Sequence, residues 1–301
     1  MSNKECTIIA LFFIALAFSL SGSYNASAAP QATPFDFFPG QGSLEWDDID
    51  NRFGDPNTNS PFSGLCDPEE SEELPGAGGL AIDDAISADG SSDAYDTAWL
   101  TTVGDTFVGT GGIGDLTGST YNGLPVNISG LDVTYQLFFS ENTQCNRFVL
   151  FMDNNTAGDI NESVSIATNF GSDSSTVFDA TSSGGMVFST ADRWTVTSDE
   201  FPASDPVNTT VFYGPGFPES TPNLALDMVC TSSSEDGVGV RYDVSVPAGQ
   251  GRCLMLFACL GDITGNGNTI AGAVANAPLF NSVRTIPGDL LSGLSDQQLA
   301  E

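Results

Sequence analysis

The sequence predicts an all-β fold, an antiparallel β-sandwich with many strands that ends in a short C-terminal helical tail. Three observations predict it. From about residue 81 to 262, short β-branched and aromatic runs alternate with Gly, Ser, Asn and Asp clusters every 8–15 residues. Val238, Val240, Tyr242, Val244 and Val246 alternate with Gly239, Arg241, Asp243 and Ser245, which puts one face in the core and one in water. After the turn Pro247–Gly251, the run Arg252–Leu260 is apolar on both faces. The amphipathic and fully apolar runs together predict a hairpin whose second strand is interior.

Taken in order, residues 1–28 have the form of a secretory signal. Lys4 opens it, Ile8–Leu20 is a 13-residue apolar run, and Ala26-Ser27-Ala28 is a small-residue cleavage site. A bilayer core needs roughly 20 apolar residues, so this run is too short to stay as an anchor. No membrane span is expected after cleavage, and the mature chain is expected to be secreted, extracellular or at the cell surface.

Residues 29–80 are rich in Pro, Gly, Asp and Glu without periodicity, which predicts a mobile acidic arm. Phe35, Phe37, Phe38, Trp46, Phe53 and Phe62 are scattered through it and are expected to pack on the following domain or dock on a partner.

Residues 81–265 form the predicted sandwich. Besides the two runs above, strands are expected at Leu131–Phe139, Arg147–Met152, Val164–Asn169, Thr176–Ala180, Trp194–Thr197 and Thr209–Tyr213. Residues 266–301 are the helical tail. In it, Thr269–Leu279 is Ala-rich, and Ser295-Asp296-Gln297-Gln298 fits a capping box.

Five cysteines follow the signal: Cys66, Cys145, Cys230, Cys253 and Cys259. An oxidising compartment would allow two disulfides and leave one thiol. Cys253 and Cys259 share a strand, about 20 Å apart, and cannot bond each other. The remaining connectivity is open.

Charge excludes whole classes of function. The chain has 39 acids, 7 Lys plus Arg and no His, for a net charge of −32. Without His there is no Ser-His-Asp triad and no His-ligated zinc. With Lys4 gone there is no mature Lys for a Schiff base or P-loop. A surface this negative repels phosphates, so nucleic acid is excluded as a partner. It also destabilises the compact state unless cations screen it.

Gly171-Ser172-Asp173-Ser174-Ser175-Thr176, Thr181-Ser182-Ser183-Gly184 and Thr190-Ala191-Asp192-Arg193-Trp194 resemble a block found in secreted bacterial β-rich surface proteins. The resemblance covers roughly residues 90–265. It implies an extracellular multi-strand module with no established activity, and carries over no catalytic residue.

Calcium is the expected cation for a carboxylate-rich secreted surface. Asp262, Thr264, Asn266 and Asn268 occupy ligand positions 1, 3, 5 and 7 of an EF-hand-like half loop, with Gly267 at position 6. Position 12 is Ala273 where a bidentate Glu belongs, so a Gly/Asn turn into a helix explains the same residues. Asp153, Asn155 and Asp159 form a second, weaker match that also reads as a hairpin turn. Asp83, Asp84, Asp89, Asp93 and Asp96 crowd a third acidic loop.

Asp192-Arg193-Trp194 is the candidate ligand site. An Arg beside an exposed Trp holds a sugar by stacking and paired hydrogen bonds; the same triplet also fits an ion pair beside a core indole. Trp99 is expected in the core.

The expected function is a secreted, non-catalytic surface, matrix or adhesion module stabilised by divalent cations or salt, with extracellular polysaccharide or other surface proteins as partners. The alternative is a carbohydrate-binding module or a carboxylate-based polysaccharide-active enzyme.

Overall fold

A computed structural model describes residues 31–32, 35–53, 78–109, 113–172, 175–199, 205–212, 236–265 and 267–295. The expected signal segment, residues 54–77 of the expected acidic arm with Phe62 and Cys66, Asn266, Cys230 and most of the expected capping box lie outside the described residues.

The first eight strands are β1 (Gln31–Ala32), β2 (Glu45–Phe53), β3 (Gly78–Ile86), β4 (Tyr95–Val103), β5 (Thr106–Phe107), β6 (Ile113–Thr117), β7 (Thr120–Gly123) and β8 (Val126–Ile128). The next eight are β9 (Leu131–Phe139), β10 (Cys145–Asn154), β11 (Ile160–Phe170), β12 (Thr176–Thr181), β13 (Trp194–Asp199), β14 (Asn208–Val211), β15 (Asp236–Val246) and β16 (Gly251–Leu260). They form two antiparallel sheets packed as a sandwich. The larger sheet runs β1-β6-β7-β9-β10-β16-β14-β13-β12, with β8 added to β9; the smaller runs β15-β11-β4-β3-β2, with β5 added to β4.

Alternation builds the main core. Leu131, Val133, Tyr135, Leu137 and Phe139 from β9, with Phe148, Leu150 and Met152 from β10, face Val164, Ile166, Val240, Tyr242 and Val244 from the smaller sheet. Trp99 is fully buried, as expected. It stacks on Phe148 at 5.9 Å and donates from its indole to Asn146 Oδ1 at 2.9 Å, joining the two sheets. Its φ is +68°, in the left-handed region, beside the register shift between β4 and β11.

β16 is buried on both faces for a structural reason. Leu254, Leu256, Ala258 and Leu260 point into the sandwich. Phe257 and Cys259 point outward into a second core, where Trp194, Val196 and Val211 meet Ala273, Ala277, Phe280, Ile286 and Leu290 of the tail. The tail comprises helix α1 (Ile270–Asn276) and two 3-10 turns, Ala277–Asn281 and Gly288–Leu291. Full burial of a side chain such as Phe280 or Leu290 contributes about 1.5–3 kcal/mol, enough to hold so short a helix in place.

The expected β15–β16 hairpin does not form. β15 pairs with β11 in the smaller sheet and β16 with β10 and β14 in the larger, so the turn at 247–250 carries the chain between sheets. The connection 155–159, expected as a hairpin turn, crosses between sheets in the same way. An apolar strand following an amphipathic one satisfies a hairpin and an arch equally, so pattern alone does not separate them.

The two arches lie side by side and Asn154 joins them. Its buried carboxamide donates to Gly158 O and Val246 O, both at 2.8 Å, and accepts from Thr156 N and Oγ1. Its backbone pairs with Gln250 O and Gly249 N.

Part of the segment expected as a mobile arm belongs to the sandwich. β2 pairs with β3 along its length, and Trp46 and Ile49 are fully buried. The Phe37 ring lies 4.7 Å from Phe139 and Phe35 lies 5.0 Å from Tyr121, so these aromatics pack on the domain, while Phe38 is exposed. The acids that hide this strand in the sequence suit its place: an edge strand studded with carboxylates resists pairing with another chain.

Cys145 and Cys259 face each other across β10 and β16 and form a disulfide, with Cα atoms 4.0 Å apart. Cys253 is also disulfide-bonded.

Candidate functional site

The EF-hand-like loop is a turn into a helix. Asp262 accepts from Thr269 Oγ1 at 2.7 Å, and Thr269 caps α1 by accepting from Gly272 N at 3.0 Å. The Asp262 carboxylate lies so close to Gly272 that a Cβ there would sit 1.6 Å from Oδ1. The loop carbonyls of Asp262, Gly265 and Gly267 converge on Gln144 Nε2 at 3.0–3.2 Å, so a side-chain amide takes the centre of the turn. Asn268 turns away, accepting from Val207 N and donating to Ser91 Oγ and Asp205 O. Thr264 is exposed. Asp262, Thr264 and Asn268 are therefore not gathered around one point.

The residues of the second loop are likewise engaged by the protein. Asp159 accepts from Ala248 N at 2.9 Å and so braces the neighbouring arch. Asn155 donates to Asp132 at 2.7 Å, and Asp153 lies in β10 opposite Asp132 and Gly251. The third acidic loop expected from the sequence is mostly strand, with Asp83 and Asp84 in β3 and Asp96 in β4. Asp84 accepts from the backbone N–H groups of Ala85, Ala94 and Tyr95, and Asp89, in the β3–β4 connection, from Ser87 and Ser91. These carboxylates tie turns together.

The Asp192-Arg193-Trp194 triplet is split by the strand it enters. Asp192 is fully buried and holds the loop before it, accepting from Ser183 N, Ser189 N and Ser189 Oγ at 2.8–2.9 Å. Arg193 is half-buried, and its carbonyl pairs with Phe212 N. Trp194 is only 6% exposed, roofed by the tail, and donates to Asn281 Oδ1 at 3.0 Å. The exposed stacking platform expected beside Arg193 is not formed. At the tip of the loop Asp192 organises, Met186 and Val187 are exposed instead.

Sequence reasoning missed Asp36, Glu45 and Asp47. One carboxylate oxygen from each lies within 4.8 Å of the others. Burial, with repulsion from Asp36 and Asp84, holds the Glu45 carboxyl above its ordinary range. The three acids stand on segments that the sequence assigns to an unstructured arm, so only β2 and its bridge to Phe37 bring them together.

The titrations of other acids have opposite signs. Burial raises Asp84 and Asp179 above the ordinary value of 3.8, against the pull of their hydrogen bonds. Burial also acts on Asp192 and Asp89, but hydrogen bonds from serines outweigh it and both lie below 3.8. A raised carboxyl binds its proton more tightly when folded, so acidification toward 3.8 stabilises the fold; a lowered one loses its contribution as pH falls through its folded value. Urea midpoints at constant ionic strength are therefore expected to rise from neutral to mildly acid pH and then fall below about 3.8. A steady decline from neutrality downward would contradict this assignment.

Fold and surroundings together define an acidic, disulfide-linked β-sandwich protein. No family model and no curated protein matches the chain. Among solved structures, it is similar to a putative kojibiose phosphorylase from human microbiome, with TM-score 0.43 and 9% identity over 90% of this chain and 37% of that one. The chain thus spans little more than a third of that protein's length. Among the described residues, no helix is long and apolar enough to cross a membrane.

Proposed function

We propose that this chain is a secreted, non-catalytic extracellular module, acting at a surface, in a matrix or in adhesion, whose acidic coat is screened or bridged by dissolved cations. The observation that carries this reading is the unopposed charge: 39 acids against 7 basic residues, with one of the few arginines, Arg147, buried beneath the tail. The buried Cys145–Cys259 disulfide favours an oxidising compartment. The carboxylates of Asp159, Asp192 and Asp262 are engaged in bracing turns, a structural task. Among the described residues, Asp36, Glu45 and Asp47 are close enough together for a divalent cation such as Ca2+ to relieve their mutual repulsion.

Self-repulsion fades as salt shortens the Debye length from about 8 Å at physiological ionic strength to about 3 Å at 1 M. The melting temperature is therefore expected to rise with NaCl and with millimolar CaCl2. A value unchanged or lowered by both would reject the cation-screened reading. A glycan array with a dye-release assay tests the rest: turnover of any polysaccharide would replace this function with an enzymatic one, and binding without turnover with a carbohydrate-binding one.

A further inference from the structure

The inner face of the larger sheet is apolar at its middle and polar at one end. Thr195 lies opposite Thr210, and Thr197 opposite Asn208, across β13 and β14. Thr210 and Asn208 lie in turn opposite Ala258 and Leu260 of β16, whose side chains belong to the main core. Directly opposed residues share a face, so these four polar side chains form a two-by-two patch turned into the sandwich. Asn208 Nδ2 confirms the direction by donating at 3.0 Å to Ala94 O, at the start of the smaller sheet.

All four residues are at most 2% exposed, and Thr195 Oγ1, Thr197 Oγ1, Thr210 Oγ1 and Asn208 Oδ1 have no protein hydrogen-bond partner. Buried polar atoms of folded proteins are satisfied as a rule, by ordered water where protein is absent. Opposed side chains start about 4.5–5.5 Å apart at Cβ, a separation that one water, about 2.8 Å from each oxygen, bridges.

We infer that this patch encloses a small cluster of structural water molecules bound between the two sheets. The group is neutral, which suits a small ligand that both donates and accepts, as water does. The cluster is independent of the proposed function.

The test uses the full chain. Thr195→Val and Thr210→Val keep side-chain shape and remove one hydroxyl each. If water bridges these oxygens, each variant melts about 2–6 °C lower than the wild type. If the oxygens are dry, removing an unsatisfied hydroxyl leaves melting unchanged or raises it, which would overturn the inference. Magnetisation transfer from long-lived water to the Thr195 and Thr210 methyl groups of the wild type is also expected. Its absence would overturn the inference even if a variant failed to fold.

Discussion

Replacing Cys145 and Cys259 together by alanine is expected to cost about 2–5 kcal/mol and to lower the melting temperature by about 5–15 °C. The disulfide joins residues 114 positions apart, so its loss frees a very long loop in the unfolded chain. It also lies in the second core with Phe257, Phe280 and Trp194, where two missing sulfurs leave a void. The double variant isolates this bond, because reductant would also open the one at Cys253. Calorimetry of the oxidised variant is the measurement. A melting point within a degree of wild type would mean that the central strand pair is held by its ladder and packing alone.

Arg147→Met is expected to loosen the tail. The guanidinium is buried, lies over the Phe138 ring at 4.9 Å, and donates to Leu290 O at 2.7 Å, Ser292 O at 3.0 Å and Gln136 Oε1 at 2.7 Å. It thus caps the last 3-10 turn with a positive charge where carbonyl ends collect, while Ser140 donates to Asp289 on the same turn. Burial lowers its pKa to about 10, still well above neutrality, so the cation is kept inside. Methionine fills much of the volume but leaves the carbonyls unmet, for a loss of about 2–4 kcal/mol. Trypsin offers a clean readout, because the chain beyond Lys4 has no lysine and Arg284 is exposed in the tail. Cleavage at Arg284 is expected to accelerate at least tenfold in Arg147→Met and less in Arg147→Lys, whose point charge does not span all three acceptors. Equal rates in all three proteins would show that the tail is held by its apolar contacts.

Much of the architecture is legible in residue order, and the reasons are local. Alternation in Leu131–Phe139 and Val238–Val246 places those strands and their faces, and the apolar run Arg252–Leu260 announces a strand covered on both sides. The tail helix follows from Ala-rich composition, and the structure begins it one residue later than expected. Sheet membership is not legible. Whether 247–250 closes a hairpin or crosses between layers depends on β10 and β11, which lie roughly 90 residues away in sequence. β2 is hidden because its acids obey edge-strand logic, which composition cannot distinguish from disorder.

The candidate sites were less legible still. An Asp or Asn in a turn has the same spacing whether it turns toward a cation or toward its own backbone. Here Asp262, Asn154 and Asp159 bond within and between turns. Trp194 sits under the tail because of the distant Phe280, Ile286 and Leu290, a contact that no local pattern encodes. The Thr195–Thr210 patch was open to detection as a break in the apolar inner row, once β13 and β14 were known to pair.

The middle of the larger sheet also governs when the molecule can become whole. β10 meets β9 almost at once, but its other side waits for β16, whose last residue is Leu260. A nascent chain growing from its N-terminus therefore carries an unzipped apolar seam for about a third of its synthesis, from the end of β10 to the end of β16. Closure joins distant partners and belongs to the slow, millisecond-to-second regime of non-local β topologies. During that interval, mutual repulsion among the acids keeps neighbouring unfinished copies apart.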